Sequence, residues 1–429
     1  MQDEELNRSI RRAVGAAFIP KNVLEYEGDV SSTLDALAAN IRTHHVGKGP
    51  FELYGVMQYF QLDTLFQVAF GDHPGHLTQD SDVYGMAKTL YKRIFHWYAW
   101  QPLPRLERFV FQNRLWSDYL TVPSPWAREG ARRVAAALSD PSSTLSPPDP
   151  SPSSKRLTLL QKYLEASHVR PSSIPPSSLT SLINSTISAG ADTTSGGLTS
   201  IFYLILRHPR IHARLLAELQ AANLSRPIRY SEIHHLPYLD ATVREALRFI
   251  SPLAIPLEVA VPQGGCLLPV TTTTITTTIP EPTPIPKSTT NTNSQTNKKA
   301  QKTQLKQKEI QIQTQIHIPQ GATLSISPWI IHQSKQIFGP DSSIFRPERY
   351  CLDPQSQSQP QTSSPSRSFP SPSQEKITEM ERANLVWGLG SRVCLGRHIA
   401  ELEIKMVLAT LLLSFDVRLF FSLFPIPGV

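Results

Sequence analysis

Near the end of this 429-residue chain stands the stretch WGLGSRVCLG, Trp387 to Gly396, with one cysteine two positions after an arginine and two before a glycine. A thiolate is a soft ligand suited to iron, and a haem takes a single proximal ligand of this kind from its protein. Gly390 and Gly396 let the backbone curl around a metal-bound sulfur with N–H groups aimed at it, and let a flat macrocycle come close. Arg392 offers a fixed charge for a carboxylate such as a haem propionate. The apolar-faced run RHIAELEIKMVLATLLLSF begins at Arg397. Cys394 therefore falls at a helix N-terminus, where a thiolate is favoured. The competing readings are a structural cysteine and a cysteine nucleophile, and no His-bearing companion motif points to the latter.

Three other groups of residues could do chemistry. In AGADTTS, Ala189 to Ser195, a glycine and two threonines sit inside the longest helical run. Their weak helix propensity predicts an irregularity that opens space for a ligand. Asp192 beside Thr193 puts an acid and an alcohol at that point, which suits water-mediated proton delivery; the bland alternative is a tolerated polar kink. In EALR, Glu245 and Arg248 are three apart and share a helix face. Taken alone, such a pair is an ordinary surface ion pair. In FRPERY, Arg349 carries a planar donor fork able to clamp the Glu245 carboxylate into an Arg–Glu–Arg cluster.

The elements that must position these residues read as mainly helical with a small β-sheet. Apolar residues recur at helical spacing over 24–45, 50–70, 177–209 and 238–252. Short strands are expected over 254–261 and 322–331. Three Ser-, Pro-, Thr- or Gln-rich tracts, 139–155, 270–308 and 354–374, lack any period that could bury a face and are expected to be structureless. The formal net charge is +7, but Lys298, Lys299, Lys302, Lys306 and Lys308 fall in one tract, so no nucleic-acid partner is expected. Three dispersed cysteines, Cys266, Cys351 and Cys394, argue against a disulfide framework. The charged start MQDEELNRSIRRAVGAAF shows no signal peptide or anchor, so the chain as written is expected to have nothing to hold it at a membrane.

Taken in this order the motifs resemble those of the cytochromes P-450, most closely fungal microsomal members. The resemblance implies a single domain of the P-450 fold, incomplete at both ends and without the N-terminal anchor and first sheet. It implies haem b with Cys394 as the axial iron ligand, Arg392 and Arg11 on the propionates, and Trp387 where relatives carry Phe. Asp192 and Thr193 match the acid–alcohol pair of the oxygen-binding helix, while Glu245, Arg248 and Arg349 match the structural triad. Asn7 stands where relatives place Trp or His. The implied activity is insertion of one oxygen atom from O2 into a small hydrophobic substrate, in fungal secondary metabolism or detoxification. Electrons would come from NADPH–cytochrome P-450 reductase, with cytochrome b5 as a further donor; the full-length relative is expected at the cytosolic face of the endoplasmic reticulum membrane, and the chain as written, without an anchor, in the cytoplasm. The alternative is a truncated, non-catalytic remnant or a mis-predicted gene product that binds haem weakly or not at all.

Overall fold

The structure, a computed structural model, describes residues 4–100, 103–111, 125–139, 156–277, 307–352 and 372–420. Nearly all of the tracts 139–155 and 354–374, and residues 278–306 of the third, lie outside the described residues. The chain divides into two compact units, Met1–Ile255 with Ser327–Val429, and Pro256–Ile326.

The larger unit is helical. Its described helices of ten residues or more are α1 (Glu4–Val14), α2 (Glu27–Asn40), α3 (Leu53–Phe70), α4 (Met86–Trp100), α5 (Pro125–Ser139), α6 (Leu159–Val169), α7 (Leu179–Arg207), α8 (Pro209–Ala221), α9 (Pro237–Phe249), α10 (Gln374–Ala383) and α11 (Arg397–Ser414). Local chemistry sets several of their ends. The Glu52 carboxylate accepts the N–H groups of Tyr54 and Gly55 and opens α3, and Gly71, at φ 84°, closes it in the left-handed region. Helix α7 stops at His208 because Pro209 follows and restricts the residue before it.

The core forms where α7 crosses α3 and α9. A Cβ on Gly190 would lie 2.9 Å from Leu65 Cδ1, and one on Gly197 would lie 3.3 Å from Leu247 Cδ2. These two glycines buy close helix–helix approach. Phe60 and Phe66 of α3 and Phe202 of α7 are almost completely buried. Each such side chain contributes about 2–3 kcal/mol of apolar transfer. Helix α11 is buried along most of its length, from Ile399 to Leu412, as the apolar run beginning at Cys394's helix predicts. Among the described residues no helix is long and apolar enough to cross a membrane.

The smaller unit holds two antiparallel ladders. Strand β1 (Leu257–Ala260) pairs with β4 (Thr323–Ile326), from Leu257↔Ile326 to Ala260↔Thr323. Strand β2 (Cys266–Thr277) pairs with β3 (Gln307–Ile318), from Cys266↔Ile318 to Thr277↔Gln307. The expectation of a structureless 270–308 therefore needs correction at both edges, where the Thr-rich backbone of 270–277 and residues 307–308 are paired as strand. The strand expected over 322–331 is also shorter than read. It ends at Ile326, and Pro328 at the first position turns the chain into a helical segment, Pro328–His332.

Candidate functional site

The cysteine loop is built from consecutive backbone turns between α10 and α11. Gly388 N–H bonds to Leu385 O at 2.9 Å, Arg392 N–H to Leu389 O at 3.1 Å, and Cys394 N–H to Trp387 O at 2.7 Å. Gly388 and Gly390 take φ of +72° and +57°, which only glycine adopts without strain. Gly396, the other glycine singled out by the sequence, has an ordinary φ of −77°. A Cβ at Gly396, as at Gly390, would meet nothing within 4 Å, so open space lies beside both.

Cys394 is exposed on the open side of this turn. The backbone N–H groups of Gly396 and Arg397, at the start of α11, are directed at its sulfur. Burial of the surrounding wall pushes the thiol up, while those N–H groups and the charges of Arg11 and Arg397 act in the opposite sense. Trp387 is half-buried, with the Arg397 guanidinium 5.9 Å from its ring centroid. Arg11 of α1 donates to Val393 O, one residue before the cysteine. Arg392 donates to Glu4 Oε2 from Nε at 3.1 Å and from Nη2 at 2.7 Å. Both ends of α1 are thus tied to the loop. Between them Asn7 is buried, and its Nδ2 has no hydrogen-bond partner among the described residues. Two arginines, an orphaned amide donor and a sulfur met by two N–H groups fit a thiolate-bound haem, whose carboxylates need donors.

Glu245, Arg248 and Arg349 meet in the interior, each at most 1% exposed. Arg248 grips the carboxylate with Nε to Oε2 at 2.7 Å and Nη2 to Oε1 at 2.8 Å, and Arg349 Nε reaches Oε1 at 3.3 Å. The surface-pair reading of Glu245 and Arg248 is therefore excluded. Two members of this cluster carried no sequence signal. Asp341 accepts from Arg349 Nη1 at 2.9 Å and from Arg346 Nε at 2.6 Å. Burial pushes its carboxyl up, but those guanidiniums outweigh burial and hold it below the usual range. His332 offers its backbone oxygen to Arg248 Nη1 at 2.5 Å and its Nε2 to the N–H of Leu385 at 2.9 Å. Burial, with the Arg248 charge beside it, lowers the ring to about 4, so at neutral pH it is an uncharged acceptor. Through His332 the ion cluster connects to Leu385, the residue on which the cysteine loop turns.

Helix α7 is an unbroken α-helix through Asp192 and Thr193, so the expected irregularity at 189–195 is corrected. The hydroxyls of Thr193 and Ser195 bond back to the carbonyls of Ala189, at 2.7 Å, and Ala191, at 2.5 Å, and so stay within the helix. Asp192 Oδ1 instead accepts from the hydroxyl of Tyr54 on α3 at 2.5 Å, and Gln58 Nε2 donates to that hydroxyl at 3.0 Å. Burial, and then the Asp192 carboxylate, push the Tyr54 phenol well above its ordinary range, so it remains a donor. Asp192 and Thr193 are neighbours in sequence with different partners. Tyr54 carried no signal beyond its place on an apolar helix.

A family model, Cytochrome P-450, matches residues 1–264 and 302–420. The cytochrome P-450 monooxygenase pkfB of Emericella nidulans is 26% identical over 97% of this chain and 69% of its own length. A cytochrome P-450 monooxygenase of Aspergillus terreus is 25% identical over 97% of this chain and 72% of its own. The crystal structure of a cytochrome P-450 superposes with a TM-score of 0.59 at 15% identity, covering 94% of this chain and 70% of that one. That likeness speaks for the fold. The family match, running along the chain on both sides of the Thr/Gln/Lys tract, makes this protein a member of the cytochrome P-450 family.

Proposed function

We propose that this chain is a haem-thiolate monooxygenase acting on a small hydrophobic substrate in fungal secondary metabolism or detoxification, with Cys394 as the axial ligand of haem b. The observation that carries the ligand assignment is the glycine-bearing turn before α11, closed by Cys394 N–H on Trp387 O at 2.7 Å, which sets an exposed Cys394 just ahead of the first turn of that helix. Haem bound there would supply the iron chemistry that activates O2 for transfer of one oxygen atom.

The chain's own residues hold and orient. The Gly396 and Arg397 N–H groups work against the burial that raises the Cys394 thiol, and so ease formation of the thiolate. Arg11, Arg392 and Asn7 offer donors to the cofactor's carboxylates. Asp192, held by the Tyr54 phenol, is the acid for water-mediated proton delivery, and the Thr193 hydroxyl is its alcohol partner. The Glu245–Arg248–Arg349 cluster, through His332, fixes the base of the loop. Electrons come from NADPH–cytochrome P-450 reductase, assisted by cytochrome b5, at the cytosolic face of the endoplasmic reticulum.

The test is turnover of the full chain with reductase, NADPH and a panel of apolar compounds under isotopically labelled dioxygen. One labelled atom in the product supports the assignment; label acquired only from water would overturn it. A second reading, a remnant that binds haem poorly, draws on one observation: the family match breaks off at 265–301. Failure to bind haem would decide for it.

A further inference from the structure

We propose that Glu4 sets how tightly this chain holds its cofactor, by acting as a rival carboxylate for Arg392. The inference rests on the assignment of Cys394 as haem ligand and concerns a residue that assignment does not use.

Glu4, Asn7 and Arg11 are spaced three and four apart on α1, and so lie along one face. Glu4 and Arg11 both contact the cysteine loop, at Arg392 and at Val393 O. Here Asn7 Nδ2, Arg11 and Arg392 are donors suited to an anion, and Glu4 brings a negative charge among them. Hydrogen bonds from Ser391 and Arg392 hold the Glu4 carboxyl below its usual range, so it is ionised at neutral pH. A haem brings two carboxylates to the same donors. For Arg392 to serve one of them it must loosen its grip on Glu4, and the Glu4 charge repels the incoming anion. Glu4 and Arg392 are 43% and 47% exposed as side chains. A pair this open is held weakly and exchanges readily. The consequence is a cofactor affinity limited by competition within the protein.

The experiment is a haem titration of the full chain, followed by quenching of tryptophan fluorescence at fixed ionic strength, for wild type, Glu4→Gln and Glu5→Gln. Glu5 is an exposed carboxylate one position along α1. Glu4→Gln should lower the dissociation constant about two- to five-fold, the effect of relieving one competing surface ion pair, while Glu5→Gln should leave it unchanged. Equal affinity for wild type and Glu4→Gln, weaker binding by Glu4→Gln, or the same gain in both variants would overturn the proposal while leaving Cys394 in place. Absence of saturable binding by all three would overturn the Cys394 assignment, and this proposal with it.

Discussion

The buried ion cluster and the cysteine loop lie on either side of His332 and are held by opposite means. In the cluster, Glu245, Arg248, Arg349 and Asp341 are removed from water, and side chains from α9 and from the 332–349 segment satisfy one another. In the loop, backbone turns do the holding, two of them at positive-φ glycines, and the cysteine faces outward. The first arrangement tolerates no vacancy, because a buried charge left without its partner is strongly destabilising. The second leaves its chemical group free of structural duty, so the sulfur is available for chemistry and adds little to stability.

The contrast is broken most severely at Glu245. Glu245→Ala leaves Arg248 and Arg349 buried with no carboxylate between them. Denaturant unfolding of the full chain should show a loss of about 3–5 kcal/mol. A loss below about 1 kcal/mol would mean that the cluster is wetter than its burial indicates.

Glu403 on α11 sharpens the same point, as a buried acid with no cation. It is 1% exposed, and burial raises its carboxyl to about 8. Its folded value is thus above its unfolded one. The stability it contributes is full below about pH 4.5 and is lost as the pH rises through 8. Glu403→Gln should therefore gain on wild type as pH rises across that window, by up to about 3 kcal/mol at pH 7. Melting curves of both proteins from pH 5 to 8 check this, and parallel curves would contradict it.

A smaller effect is expected in the loop. Gly388→Ala forces a side chain into the left-handed region and brings its Cβ to 3.3 Å from Arg392 O. The expected loss is about 1–2 kcal/mol. A haem-binding defect exceeding that of an equally destabilised core variant would show that the turn shapes the site itself.

What the sequence revealed follows the same division. Glu245 and Arg248 were legible because i, i+3 spacing on a helix is local, and Cys394 because its glycines and arginine crowd into ten residues. His332 and Tyr54 were not legible, because each is defined by a partner far along the chain, brought near only by packing; Asp341 has near neighbours in sequence as partners, but a carboxylate in a turn gives no local sign that it will be buried. At 189–195 local propensity pointed the wrong way. Glycine and threonine read as a break, whereas the hydroxyls bond inside the helix and Gly190 admits Leu65. The Thr-rich edge of the long tract failed for a related reason. A strand without alternating polarity shows no period, yet its backbone pairs with 307–318.

The least structural perturbation carries the most chemical information. Cys394→Ser should change stability by no more than about 0.5 kcal/mol, as an exposed side chain free of the core. The decisive measurement is the carbon monoxide difference spectrum of the reduced, haem-reconstituted full chain, wild type beside Cys394→Ser. Wild type should show the long-wavelength Soret band of thiolate-ligated haem, and the variant should lose it. The same long-wavelength band in both proteins, or its absence from wild type, would contradict the assignment of Cys394 as the iron ligand.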